Sequence, residues 1–304
     1  MIFESTIANS VSLSGIGLHT GAQTTMVLRP APADTGIVFR RREQERIVSI
    51  PANAANVVNT RFATVLGHQG LTVSTVEHFL AALAGCRVDN LWVDIDGPEI
   101  PVQDGSALPF VKLLQTAGLK RLHAPRKYLS ITRHISVVDE GRRVSIVPSR
   151  FFRLSYDIAF NHPAIPPQHL SIKFSTGLFQ KEIAPARTFG FLHEVEKLKE
   201  LGLARGGTLD NAIVFDGRGV INPAGLRFPD EIVRHKILDA IGDFRLLGYP
   251  ILGHIRAFKA GHEINQRLVN KILALPECWK LVEVANEDSQ RGAVPSPALV
   301  SNFL

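Results

Sequence analysis

The chain has 304 residues, 45% of them hydrophobic and 20% charged, an ordinary globular composition that excludes a disordered chain, a collagen-like fibre and a coiled coil. Such a length buries a sizeable core and fits two domains of about 150 residues, while two cysteines, Cys86 and Cys278, are too few for a disulfide framework or a Cys-rich zinc module. The net charge of +6 permits an anionic partner, but the densest basic groups, Arg40-Arg41-Arg42 and Lys120-Arg121, are short, and scattered charge argues against nucleic acid.

The first residues, Met1 to Thr6, carry no basic stretch followed by an apolar one, so no secretory signal is read there. No apolar run nears the roughly 18 residues of a membrane span. A cytoplasmic protein without integral membrane segments is the expectation. Up to about residue 70 the pattern is mostly β, with strands expected at 24–29, 36–40 and 61–67 between Gly, Pro and Asn residues. The glycines of Ser14-Gly15-Ile16-Gly17-Leu18-His19-Thr20-Gly21 are spaced G-x-G-x-x-x-G, with no βαβ unit following. That predicts a tight hairpin turn and not a dinucleotide fingerprint.

At Ser74-Thr75-Val76-Glu77 the period changes. Ser74 with Glu77 three residues on reads as a capping box, opening a helix that runs to about Ala84 and stops at Gly85. A strand is predicted at 90–95, a turn at Asp96-Gly97-Pro98, and a helix at 106–117 closed by Gly118. Residues 120–127, with Pro125 inside, read as a linker. The same order then returns: strands at 128–138, 143–147, 152–160 and 170–174, a long helix at 230–247, a strand at 253–259 and a helix at 262–273. The prediction is therefore two α+β domains, 1–124 and 128–304, each strands, helix, strand, helix. The second carries an insertion near 191–215, with a short amphipathic helix at 194–201 and a strand at 212–215; such excursions often shape a site.

Chemistry concentrates in a few places. His235 and Asp239 are four apart on the long helix and share a face, which Asp243 continues. A buried row of that kind needs partners. A metal would provide one, since imidazole and carboxylate suit zinc; a surface stripe salt-bridged through Lys236 and Arg234 is the alternative. Glu77-His78 opens the first-half helix, so a His could bind metal while its neighbouring Glu reaches a water. If the halves correspond, His78 and His235 lie on equivalent helices, and two His with one Asp would leave an open position, as catalytic sites do. His262 stands where a strand ends and a helix starts, a place for a general acid or base. In Arg187-Thr188-Phe189-Gly190-Phe191 a hydroxyl and two aromatic rings follow one another.

Taken together, segments 14–21, 74–85, 99–106, 187–191, 225–243 and 259–262 resemble the zinc-dependent UDP-3-O-acyl-N-acetylglucosamine deacetylases of lipid A biosynthesis, in order and across nearly the whole chain. The resemblance implies two similar α+β domains packed face to face with the active site between them. It implies one Zn²⁺ per chain on His78, His235 and Asp239, with Fe²⁺ compatible with the same ligands. Glu77 is then the general base and His262 the general acid, with Asp243 orienting its imidazole. Thr188 and Lys236 stabilise the oxyanion. Phe191, Val195, Leu198 and Ala204 of the insertion, with Leu18, are expected along the acyl chain, Phe189 among the substrate contacts, Phe160 on the uracil and Lys259 near the diphosphate. A monomer is expected, because no uncommitted apolar helix face stands out. An amidase acting on another acylated sugar, and an inert metal- or nucleotide-sugar-binding protein, stand as rivals; Glu77 and His262 argue against inertness. Regulation leaves no sequence mark beyond the short tail 295–304.

Overall fold

The computed structural model describes residues 1–284; the tail 295–304 lies outside the described residues. The architecture is α+β. In the first half, five strands lie in the order Val11–Ile16, Gln23–Pro30, Leu91–Ile95, Ile37–Glu43, Arg46–Pro51. Burial alternates along them: Thr24, Met26 and Leu28 point inward from one strand, Ile37, Phe39 and Arg41 from another. This two-residue period is that of a sheet with one covered face. Ile37–Glu43 and Leu91–Ile95 run parallel, and the connection between them carries helix α1 (Glu77–Gly85), as a parallel pair requires a crossover. The segment 14–21 closes the hairpin between Val11–Ile16 and Gln23–Pro30, as its spacing predicts.

Helix α2 (Leu108–Ala117) ends at Gly118, whose φ of 70° is the left-handed turn that glycine adopts without strain. In the second half a seven-stranded sheet is built around Ile251–Phe258. That strand pairs antiparallel with Arg142–Val147 and parallel with Lys127–Ile131 and Phe152–Ile158. A short turn, α3 (Thr176–Leu178), a surface helix, α4 (Leu192–Glu200), and two long helices, α5 (Glu231–Arg245) and α6 (His262–Leu273), complete it. Within the insertion, Phe189–Phe191 and Ile213–Phe215 form a two-stranded parallel ribbon.

Three expectations need correction. Residues 120–127 are not a linker: Leu119–Pro125 pairs antiparallel with Phe3–Ile7, and its exposed Lys120 and Arg121 are what an edge strand presents to water. The single strand predicted over 128–138 is two, Lys127–Ile131 and Ile135–Asp139. The ladder breaks where the N–H groups of Thr132 and Arg133 both turn to the carbonyl of Cys278. Lastly, Ser74 and Glu77 form no capping box. The N-cap of α1 is Val76, without a side-chain hydrogen bond, and the Ser74 hydroxyl donates to the Pro98 carbonyl at 3.3 Å. Glu77 is left to point elsewhere.

Every residue of α1 except Ala84 is buried, and α5 is buried except at Arg234 and Lys236. Helices covered all round are core elements whose stability comes from packing. The two lie against each other at Gly242, where a Cβ would collide with the Glu77 carbonyl oxygen. That contact sets the first turn of α1 beside the middle of α5.

Candidate active site

The juxtaposition brings one imidazole from each half to the same carboxylate. His78 Nε2 lies 3.4 Å and His235 Nε2 3.3 Å from Asp239 Oδ1. The three ligand atoms all fall within 4.8 Å of one another, and all three residues are buried. Asp239 Oδ1 is sealed from water and receives no hydrogen bond, a costly state for a carboxylate oxygen unless something else satisfies it. The His235 ring donates from Nδ1 to the Ala186 carbonyl at 3.1 Å, which fixes the tautomer and turns the Nε2 lone pair toward the cluster. Burial, outweighing the Asp239 charge, pushes the His235 pKa down to about 4, so the imidazole is neutral, as a metal ligand must be. Burial would raise the Asp239 carboxyl, but its electrostatic interactions with His235 and Lys236 overcome it and hold the group well below the ordinary range. Two imidazoles and a carboxylate of this kind fit a divalent metal.

This burial excludes the surface-stripe reading of α5. Arg234 pairs instead with Asp230 and Glu182, at 2.6 and 2.9 Å, while Lys236 reaches Asp239 Oδ2 at 2.7 Å.

A cavity of about 120 Å³ opens beside the cluster, lined among others by Glu77, His78, Thr188, His235, Lys236, Asp239 and His262. Glu77 enters it from the first turn of α1, with Oε2 accepting from the Thr64 N–H at 3.0 Å. Burial raises its pKa above the carboxylate norm, although His262 and His78 pull the other way. His262 begins α6 and faces Glu77, with Nε2 3.9 Å from Oε1. Its Nδ1 lies 3.0 Å from Asp243 Oδ2. Burial would lower this imidazole, but the Asp243 and Glu77 carboxylates prevail and raise it to about 9. A buried carboxylate inclined toward neutrality thus faces an imidazole inclined toward cationic form, the pairing that lets one site both take and give a proton.

Thr188 is half-buried at the cavity wall, its backbone pinned between the Gly105 carbonyl and the Ile213 N–H, each at 2.8 Å. Leu18 and Phe189 also border the cavity. Phe160 and Phe191 do not. They form an aromatic cluster with Phe189 outside it, with Phe160 ring centroids 5.5 Å from Phe189 and 5.8 Å from Phe191. Val195 on α4 and Ala204 after it are half-buried, and Lys259 is exposed with a φ of 50°; none lines the cavity.

The site also holds residues that the sequence reading passes over. His19, Phe62 and Thr75 line the cavity. Glu99, fully buried, collects the His19 and Thr20 N–H groups and the Thr20 and Thr75 hydroxyls. It holds Thr75 at a φ of 57°, strain that a β-branched residue bears only where its surroundings impose it. The partners of Glu99 lie up to 80 positions away. Only its inclusion in the segment 99–106 marks it in the sequence.

A family model for UDP-3-O-acyl N-acetylglycosamine deacetylase matches residues 4–274. The chain belongs to that family. A protein of Syntrophotalea carbinolica named UDP-3-O-acyl-N-acetylglucosamine deacetylase is 60% identical over 97% of this chain and 95% of its own length. Proteins of the same name from Myxococcus xanthus and Pseudomonas entomophila are 53% and 45% identical, over 92% and 93% of this chain and 89% and 94% of theirs. The family comprises metal-dependent hydrolases of an amide bond, so the cavity beside His78, His235 and Asp239 belongs to a metalloenzyme.

Proposed function

We propose that the chain removes the N-acetyl group from UDP-3-O-acyl-N-acetylglucosamine, releasing UDP-3-O-acyl-glucosamine and acetate in the committed step of lipid A biosynthesis, with zinc on His78, His235 and Asp239. The observation that carries this reading is the buried, unsatisfied Asp239 Oδ1 facing two imidazole nitrogens beside a cavity that Glu77 and His262 share. Bound there, zinc supplies Lewis acidity that polarises the amide carbonyl and makes water more acidic.

An amide is a weak electrophile with a poor leaving group, so the protein has three tasks. Glu77, held by the Thr64 N–H, accepts the proton of the attacking water. His262 delivers a proton to the departing nitrogen, its ring oriented through Nδ1 by Asp243. Thr188 and Lys236, both at the cavity wall, offset the negative charge that develops on the carbonyl oxygen.

The acyl chain runs from Leu18 along Phe189, Phe191, Val195 and Ala204. In support, the insertion is stitched to the 14–21 turn by the N–H groups of Arg205 and Gly206, which donate to the His19 and Leu18 carbonyls at 3.1 and 3.0 Å. At about 0.8 kcal/mol per buried CH₂, a long chain contributes much of the binding. Lys259, exposed three residues before His262, is the contact for the diphosphate, and Phe160 stacks on the uracil. The same reading divides the chain at 1–124 and 128–304, the first part contributing α1 to the site and the second α5 and α6, and places the protein in the cytoplasm. No described helix is long and apolar enough to cross a membrane. The test is acetate release from the acylated nucleotide sugar with and without a zinc chelator. Chelator-sensitive release is expected; no release by folded, metal-loaded protein would overturn the reading.

A further inference from the structure

Thr64 is a buried residue, 1% exposed, in irregular chain just before the strand Val65–His68. All three of its polar groups end on the active site or its support. The N–H donates to Glu77 Oε2 at 3.0 Å, and the hydroxyl donates to Asp243 Oδ1 at 2.7 Å. The carbonyl accepts from the Val76 N–H at the head of α1, at 3.3 Å. Asp243 lies 179 positions along the chain, so one residue bridges the carboxylate that takes the proton and the carboxylate that orients the imidazole giving one. The Asn265 amide donates to the second Asp243 oxygen at 2.9 Å, and His262 Nδ1 sits between the two, 3.1 Å from Oδ1 and 3.0 Å from Oδ2. Thr64 on Oδ1 and Asn265 on Oδ2 thus hold each carboxylate oxygen by a group other than the imidazole; without the Thr64 hydroxyl, Oδ1 is left to His262 alone, and a carboxylate fixed independently of the ring is what keeps an imidazole in line.

We propose that Thr64 is a positioning residue for the deacetylation read above, its hydroxyl locking the Asp243 carboxylate so that His262 stays in register with Glu77. Val is nearly isosteric with Thr, so T64V deletes the hydroxyl and leaves the N–H on Glu77. We expect kcat of T64V to fall about 10-fold or more, the consequence of losing one charge-assisted hydrogen bond, with KM and bound metal unchanged. T64S should recover most of the loss. In a D243A background the T64V effect should vanish, because the two residues act as one unit. The proton on His262 Nδ1, followed by NMR in the metal-loaded protein, should shift in T64V and not in T64S. Wild-type kcat in T64V, equal losses in T64V and T64S, or an undiminished T64V penalty in D243A would each overturn the proposal. If wild-type protein itself releases no acetate, the functional reading fails. The His262 resonance still decides on Thr64, and a resonance unmoved in T64V excludes the role.

Discussion

Gly242 of α5 lies so close to the main-chain carbonyl of Glu77 on α1 that no side chain fits between them. Glu77 and His78 are therefore delivered to His235, Asp239 and Asp243 by a backbone contact, not by the side chains themselves. Gly242→Ala forces the helices apart and should cost about 1–3 kcal/mol of stability, as overpacking does. Because His78 moves with α1, metal affinity should fall too. Thermal unfolding of the apoprotein and competition with a chromogenic chelator measure the two effects separately; unchanged metal affinity would mean that the helix contact does not set the ligand geometry.

The opposed inclinations of Glu77 and His262 give a pH profile with two limbs. Glu77 must be ionised to accept a proton, and burial raises its pKa, so kcat/KM should climb as pH rises through that displaced value. His262 must be protonated to donate, and Asp243 and Glu77, outweighing burial, hold its pKa at about 9. The rate should therefore fall as pH rises through about 9. In His262→Ala the alkaline limb should disappear from the residual rate. A limb that persists in that variant belongs to another group.

Ligands and proton carriers should separate under mutation. Asp239→Ala removes the oxygen that both imidazoles face, and the purified protein should lose its metal. Glu77→Ala and His262→Ala should keep the metal and lose turnover by about 10²- to 10⁴-fold, the usual worth of general acid–base catalysis. Elemental analysis beside single-turnover kinetics distinguishes the classes, and metal loss in Glu77→Ala would contradict its assignment as base.

Arg187 and Glu231 form a buried pair behind Thr188. The guanidinium contacts both carboxylate oxygens, at 2.9 and 3.1 Å, and Glu231 is fully buried. Arg187→Met leaves that carboxylate without its partner and should cost about 3–5 kcal/mol. Urea unfolding of the variant tests this. A loss below about 1 kcal/mol would mean that Glu231 is satisfied by its remaining backbone donors.

Much of the site is legible in the sequence because it rests on local spacing. His235, Asp239 and Asp243 share a helix face through the repeat of α5, and Glu77-His78 opens a helix whose apolar run announces it. His262 stands at a strand-to-helix junction, and its helix spans His262–Leu273 as expected. The capping-box reading fails because the same Ser-x-x-Glu spacing serves a different end once tertiary contacts compete: the Glu77 carboxylate goes to Thr64 and the Ser74 hydroxyl to Pro98. The linker reading fails because pairing with Phe3–Ile7 joins segments over a hundred positions apart.

The sequence by itself determined which residue types stand at helical spacing, the order of the helices that carry the site, and the family that its segments resemble. Only the tertiary structure decided that the α5 stripe is buried, that His78 meets Asp239, and that Thr64, Glu99 and Asn265 stand behind the reacting groups. Periodicity states which side chains share a face and is silent on which faces meet. That is settled by non-local burial and by the need of each buried polar atom for a partner, conditions met only when the whole chain has folded.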